Sequence, residues 1–328
     1  MSKGILLITG AGGFTGIHAC RHFAGQGYTV IGAVRRMDTL IRVPNVDYFV
    51  CDMSDEQAVW SLVDSTAPDY VLHLAGNNSV PESWEHPFRY MKSNLFSALT
   101  LLEALRGRSA KLLIVNSRLG SLLSPHSSPN HPYGLSKSLS AAASLGWAGL
   151  FNQPVVLAEP GNLIGPGPST GFCSLLARHI VALEQQQAPG EFRLSSGLER
   201  RDFLDVRDAV KAYELLLMNG EQGGVYPVCS GIERTLQETA DEYQTMTAVP
   251  LKLGSGNGPT PAHSLTNFPS HSPSNFPKNS PAETPLLQPA ELFRMGWTPA
   301  VPWRQSLLDT LGYYRGGGRL IIEQQPDT

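Results

Sequence analysis

Close to the amino end, the apolar run Ile5 to Thr9 leads straight into Gly10-Ala11-Gly12-Gly13-Phe14-Thr15-Gly16, and a helical pattern follows from about Gly16 to Gln26. Glycines at 10, 13 and 16, held between a strand and a helix, restrict the fold more than any other feature of the chain. One glycine permits a tight turn, one lets backbone approach a pyrophosphate, and one permits close helix–sheet packing. The amino end of the helix adds free N–H groups and a partial positive charge. Gly10, Gly13, Phe14, Thr15 and Gly16 are therefore candidate contacts for a dinucleotide. The competing reading is an ordinary glycine-rich turn, which the strand–glycine–helix placement disfavours.

The rest of the first half keeps the same rhythm. Strands are expected at Tyr28 to Val34, Asp47 to Val50, Tyr70 to Ala75, Lys111 to Asn116 and Pro154 to Ala158. Helices are expected at Glu56 to Ser65, Met91 to Arg106 and Tyr133 to Gly149. Such alternation implies right-handed βαβ units and a Rossmann-type doubly wound parallel sheet, an α/β fold. After Pro160 loops lengthen and strands become isolated, which predicts a smaller mixed α/β substrate lobe over the carboxyl edge of the sheet. We place the nucleotide-binding domain at 1–158 and the substrate lobe mainly at 159–328, with about 203–222 returning to the first domain. Residues 254–285 are rich in Pro, Ser, Asn and Gly and read as irregular, with order returning at Pro289 to Phe293 and in a helix from Trp303 to Tyr314.

The chain has 328 residues, 41% of them hydrophobic, which is ample for a full core. A net charge of -3 argues against a general nucleic-acid partner. The four cysteines are scattered singly and no histidine cluster has ligand spacing, so no metal is expected. No signal peptide is read at the amino end, and no run approaches the roughly 20 apolar residues of a membrane span, so the expectation is a cytoplasmic protein with no membrane partner.

The end of the second strand selects the cofactor. An acidic side chain there would hold the 2′-hydroxyl of NAD, whereas this chain has Ala33-Val34-Arg35-Arg36. Two guanidinium groups suit the 2′-phosphate of NADP, with NAD use still possible. The alternative is a solvated pair. Asp52, followed by Met53, is placed to accept from the adenine amine or, equally, to cap a turn. Leu74, Ala75 and Gly76 close the fourth strand beside the cofactor. His73 is read as packed in that strand and not catalytic.

Tyr133-Gly134-Leu135-Ser136-Lys137 sets Tyr133 and Lys137 four apart on one helix face. A phenol titrates near pH ~10. A nearby ammonium, with the positive nicotinamide of the oxidised complex, would bring it toward working pH. Tyr133 could then protonate a carbonyl oxygen while hydride reaches the carbon, and Lys137 could hold the nicotinamide ribose. A third group should bind the same oxygen. Ser117 is the natural candidate, with Asn116 and Ser121 as alternatives.

Together these residues resemble the extended short-chain dehydrogenase/reductase family, also called the NAD-dependent epimerase/dehydratase family. The resemblance extends through His73 to Phe88, Asn162 to Phe172, Glu199 to Tyr213, Gly223 to Gly231 and Gly296 to Arg315. It implies an NADP-dependent oxidoreductase with a nucleotide-sugar substrate, Ser117, Tyr133 and Lys137 in the catalytic places, and Asn94 at the cofactor. It further implies that Ser79 and Asn162 contact the substrate and that Arg201 clamps its diphosphate, a role that suits a guanidinium fork. An ion pair of Arg200 and Arg201 with Asp202, Asp205 or Asp208 is the alternative. Three departures stand out: Arg118 where dehydratases carry a catalytic Glu, Glu159 where the family often has Arg, and no Arg-Pro-x-Asp stretch before the last helix.

The leading expectation is reduction of a nucleotide-linked 4-keto-6-deoxy sugar, GDP-4-keto-6-deoxy-mannose-like, by NADPH. A C4 epimerase retaining NAD, or a dinucleotide sensor without turnover, are the competing readings. A homodimer is expected through the helices at Met91 to Arg106 and Tyr133 to Gly149, whose apolar faces would otherwise only cover the sheet.

Overall fold

The fold is that of a computed structural model, which describes residues 2–38, 40–117, 129, 131–187, 190–194, 196–255 and 288–319. In chain order the first elements are β1 (Ile5–Thr9), α1 (Phe14–Gly25), β2 (Thr29–Val34), β3 (Val46–Val50), α2 (Glu56–Thr66), β4 (Tyr70–His73), α3 (Val80–Glu85) and α4 (Pro87–Tyr90). A π-helical turn (Met91–Phe96) runs into α5 (Ser97–Ala104), followed by β5 (Lys111–Val115), α6 (Pro132–Phe151) and β6 (Val155–Pro160). Then come β7 (Asn162–Ile164), α7 (Phe172–Glu184), β8 (Phe192–Leu194), β9 (Arg200–Asp205), α8 (Val206–Asn219) and β10 (Val225–Val228). The last are β11 (Glu233–Thr235), α9 (Leu236–Gln244), β12 (Leu253–Ser255), α10 (Ala290–Arg294) and α11 (Trp303–Arg315).

The described residues fall into two compact units, one of 2–161, 207–228 and 288–298, the other of 162–206, 229–255 and 299–319. The first is built on a seven-stranded sheet in the order β10-β6-β5-β4-β1-β2-β3, parallel throughout. Its inner strands are buried on both faces, as a parallel sheet requires, while the edge strand β3 is largely exposed. Leu7, Ile31, Val71, Leu112, Ile114, Val155 and Leu157 face one core, which α2, α5 and α6 complete through Val59, Leu62, Leu101, Leu102, Ala141 and Ala148. The alternate residues Leu6, Ile8, Val30, Leu72, Leu113 and Val156 are buried too. The arrangement is the expected Rossmann-type sheet.

The second unit has a three-stranded sheet in the order β11-β9-β7 and the parallel pair β12-β8. Its core joins Phe172, Leu176 and Ile180 of α7 to Phe203, Tyr243, Leu307 and Leu311.

Three details depart from the sequence reading. The helix expected over Met91 to Arg106 is interrupted, with a π-helical turn before α5. Gly254 and Ser255, read as the start of the irregular segment, extend β12 and pair with Arg193 and Leu194, and positions 256–285 lie outside the described residues. Residues 288–298, assigned to the substrate lobe, belong to the first unit, where Trp297 Nε1 donates to the Asp208 carbonyl at 3.1 Å.

Candidate active site

The glycine loop leaves no room for side chains. A Cβ on Gly16 would meet the Gly10 carbonyl oxygen at 2.1 Å, and one on Gly10 would meet the Ala75 nitrogen at 2.8 Å. Gly10 also sits at φ +69°, where a side chain is strained. No side chain caps α1 at Gly13 and its first turn holds no acidic residue, so the N–H groups of Phe14 and Thr15 are left for an anion. The loop fits a dinucleotide pyrophosphate.

Arg35 and Arg36 follow β2 and are both exposed. Arg36 makes only a 3.9 Å solvent-exposed pair with Asp38, worth little in water. Asp52 accepts from the backbone N–H and the hydroxyl of Ser54, at 2.9 and 2.8 Å. Those bonds, and then the Arg35 charge, hold its carboxyl below the usual range. Asp52 therefore caps a turn, one of its two expected roles. Met53 beside it is buried.

The carboxyl end of β4 is held by Thr9. Its Oγ1 accepts from the Ala75 N–H at 3.2 Å and lies 2.8 Å from His73 Nδ1. The direction of that Thr9–His73 hydrogen bond depends on the ring tautomer, and Nε2 is buried without a hydrogen-bond partner among the described residues. Burial first, and then the Lys137 charge, push the His73 pKa down to about 3, so the ring is neutral. His73 is packed in its strand as expected.

Gly76 is wedged in place: a Cβ there would lie 2.6 Å from Asn94 Oδ1 and 3.8 Å from Lys137 Nζ. Asn94, on the π-helical turn and 2% exposed, has its amide engaged by the protein. Oδ1 accepts from the Asn77 N–H at 2.8 Å, while Nδ2 donates to the Asn77 carbonyl and to Ser136 Oγ, at 3.0 and 2.9 Å. The Ser136 hydroxyl in turn donates to the Tyr133 carbonyl at 2.8 Å. Asn94 thus ties the loop after β4 to the first turn of the Tyr133 helix, a link that sequence spacing did not reveal. Ser79 caps α3, accepting from the Glu82 N–H at 3.3 Å.

Helix α6 begins at Pro132, with His131 Nδ1 accepting the Gly134 N–H at 2.8 Å. Tyr133 stands in its first turn, its ring stacked on His131 at 5.9 Å and edge-on to Tyr90 at 6.2 Å. Its hydroxyl is hydrogen-bonded to Ser117. Burial raises the phenol pKa and the Ser117 bond opposes that rise. Lys137 Nζ donates to the Val115 carbonyl at 3.1 Å, and burial lowers its pKa to about 8. The expected partners Ser117, Tyr133 and Lys137 are therefore gathered at the carboxyl ends of β4 and β5. In the protein alone burial is the largest influence on both groups, raising the phenol and lowering the ammonium. Of the two alternatives to Ser117, Asn116 is buried and has no hydrogen bond to Tyr133, while Ser121 and Arg118 lie outside the described residues.

In the second unit Asn162 Nδ2 donates to the Asp202 carbonyl at 3.1 Å. Arg201 binds Glu199 through Nε and Nη2, at 2.9 and 2.5 Å, and Arg200 pairs with Glu233 at 3.9 Å. The ion-pair partners are thus glutamates and not the expected aspartates. Asp202 is instead buried and accepts from Ser230, Gly231 and Ile232. No cluster of His, Cys, Asp and Glu that could hold a metal occurs among the described residues, and none of their helices is long and apolar enough to cross a membrane.

Comparison with known proteins agrees with this geometry. Residues 6–229 match the NAD dependent epimerase/dehydratase family. GDP-6-deoxy-D-mannose reductase of Pseudomonas aeruginosa is 33% identical over 263 residues, covering 76% of this chain and 82% of that protein. Human dTDP-D-glucose 4,6-dehydratase is 23% identical, covering 94% and 89%. The solved structure of RMD from Pseudomonas aeruginosa complexed with NADPH superposes with a TM-score of 0.73 at 26% identity, covering 96% of this chain and all of that one. The glycine cradle, the Ser117–Tyr133–Lys137 set and these matches lead to one assignment: the chain belongs to the NAD-dependent epimerase/dehydratase family and is an NAD(P)-dependent oxidoreductase of the extended short-chain type.

Proposed function

We propose that the protein uses NADPH to reduce the C4 carbonyl of a nucleotide-linked 4-keto-6-deoxy sugar, GDP-4-keto-6-deoxy-mannose-like. The observation that carries the reading is the Tyr133 hydroxyl held on Ser117, one helical turn from a half-buried Lys137. The identity to a GDP-6-deoxy-D-mannose reductase and the superposition on an NADPH complex support it.

Gly10, Gly13, Phe14, Thr15 and Gly16 hold the pyrophosphate, Arg35 and Arg36 the 2′-phosphate, and Asp52, Met53, Leu74, Ala75 and Gly76 border the nucleoside halves. NADPH, when bound there, supplies the hydride. Ser117 donates a hydrogen bond to the substrate carbonyl oxygen and polarises it. Tyr133 gives that oxygen its proton as negative charge develops, which general-acid catalysis makes worth about 10²- to 10⁴-fold in rate. Lys137 supplies positive charge beside the phenolate that Tyr133 becomes. Ser79 and Asn162 are assigned to the sugar nucleotide and Arg201 to its diphosphate, which would compete with Glu199 for the guanidinium fork.

The chain carries Arg118 where a dehydratase has its glutamate, which disfavours elimination of water from the sugar. A C4 epimerase is the second reading, favoured by matches such as UDP-arabinose 4-epimerase 1 of Arabidopsis thaliana at 24% identity. NADPH consumption with a panel of keto-sugar nucleotides separates the two. Stoichiometric oxidation supports the reductase, whereas isomerisation without net NADPH use supports the epimerase.

A further inference from the structure

One polar pair beside the catalytic set has no task in this scheme. Val115 lies opposite Ala158 in the β5–β6 register, and the Asn116 N–H donates to the Ala158 carbonyl at 2.8 Å. Asn116 and Glu159 are therefore neighbours across two strands. Both stand on the face that carries Ile114 and Leu157, the face that α6 covers.

Asn116 is 5% exposed, yet among the described residues neither Nδ2 nor Oδ1 has a hydrogen-bond partner. Leaving a buried polar group unpaired costs roughly 1–3 kcal/mol, so such a group calls for an explanation. Glu159 lies against that amide, half-buried; burial raises its carboxyl pKa, and the Asn116 amide, in a contact that falls short of hydrogen-bond geometry, opposes the rise. Among the described residues no cation contributes to its electrostatics.

The position of the pair matters as much as its chemistry. Ser117, the next residue along, is hydrogen-bonded to Tyr133. Adjacent strands are about 4.8 Å apart, so Glu159 stands one strand spacing from the backbone that carries the carbonyl-binding hydroxyl. An unpaired amide offers one donor and one acceptor, and a carboxylate offers acceptors. The neutral group that matches both is a hydroxyl, which donates once and accepts. In a 4-keto-6-deoxy sugar the carbon next to the carbonyl that bears a free hydroxyl is C3.

Resting on the reductase reading above, we propose that Asn116 and Glu159 form a specificity subsite for the C3 hydroxyl of the keto sugar. Glu159 accepts its hydrogen bond and Asn116 Nδ2 donates to its oxygen. The Asn116 Nδ2 donor and the Glu159 carboxylate are then paired, and the sugar is turned so that its carbonyl meets Ser117 and Tyr133.

The test compares GDP-4-keto-6-deoxy-mannose with its 3-deoxy counterpart in the wild type, Glu159→Ala and Glu159→Gln, reading kcat/KM from NADPH oxidation, Kd for NADPH from fluorescence, and thermal melting. A hydrogen bond to a charged group predicts that the wild type favours the hydroxylated sugar by roughly 10- to 100-fold. Glu159→Ala should bring that ratio close to one by weakening only the hydroxylated substrate, with NADPH affinity unchanged. Glu159→Gln, nearly the same shape, should fall between them, and it stands in if the alanine variant fails to fold. Equal losses on both sugars, or weakened NADPH binding, would overturn the subsite. A wild type that turns over both sugars equally would sink the subsite alone. A wild type that oxidises no NADPH with either would remove the reductase reading and this inference with it.

Discussion

At Tyr133 burial and hydrogen bonding pull in opposite directions. The apolar stack of His131 and Tyr90 raises the cost of a phenolate, and Ser117 lowers it. Lys137 is half-buried, and desolvation lowers its pKa to about 8, so it carries only part of a charge under mildly alkaline conditions. His73, beneath it, adds a stability effect with a definite sign. Its pKa falls from 6.5 to about 3 on folding, so between those values the unfolded chain binds the extra proton. This group costs nothing above pH 6.5 and destabilises progressively as the pH falls toward 3. Denaturant unfolding of wild type and His73→Gln should show it: moving from pH 7 to pH 5 should cost the wild type about 2 kcal/mol more than the variant. Parallel pH curves would contradict a neutral, buried ring. At Arg35 and Arg36 the expectation concerns selectivity. The double variant Arg35→Ala, Arg36→Ala should raise the Kd of NADPH at least about tenfold while changing that of NADH little, since only NADPH brings a 2′-phosphate to a guanidinium pair. Equal weakening of both cofactors would remove that argument. Tyr133 and Lys137 were legible in the sequence because a four-residue spacing fixes a helix face. Asn116 with Glu159 was not, since their contact depends on strand register.

Among the elements, the π-helical turn most affects the site. A regular helix over Met91 to Arg106 satisfies the apolar pattern, so the sequence reading missed the widened turn. Asn94 has three tertiary hydrogen bonds there, to Asn77 twice and to Ser136 once. π-turns are found frequently at functional sites, and this one sets an amide between two loops of the cofactor region. Asn94→Ala leaves buried donors and acceptors unpaired, and should lower stability by about 2–4 kcal/mol and reduce kcat as Tyr133 loses its anchor through Ser136. Wild-type melting and turnover in that variant would show the link to be incidental. The strands β1 to β6 were legible because each is a short, mainly apolar run set between helical or turn segments. β10 was not read as a strand: it is four residues long and contains Pro227, which an edge strand tolerates and a central strand would not.

For the whole molecule, the alternation of strands and helices was enough to give a parallel sheet and six of its seven strands, because short right-handed crossovers leave few other topologies. The division into units was less legible: the sequence returned the α8 stretch to the first unit, but not β10 or the Trp297 segment, which also belong to it. Phe96, Leu150 and Phe151 remain exposed on the π-helical turn and on α6. The proposed homodimer would cover them, and light scattering at micromolar concentration should give twice the 35.5 kDa chain mass. A monomer under those conditions would count against it. The most direct test of the reductase follows one hydrogen. With GDP-4-keto-6-deoxy-mannose and NADPH deuterated at nicotinamide C4 on the transferred face, the sugar product should gain one deuterium at C4, one for each cofactor oxidised, and Tyr133→Phe should form almost none. Unlabelled product, or undiminished labelling in the Tyr133→Phe enzyme, would contradict the account.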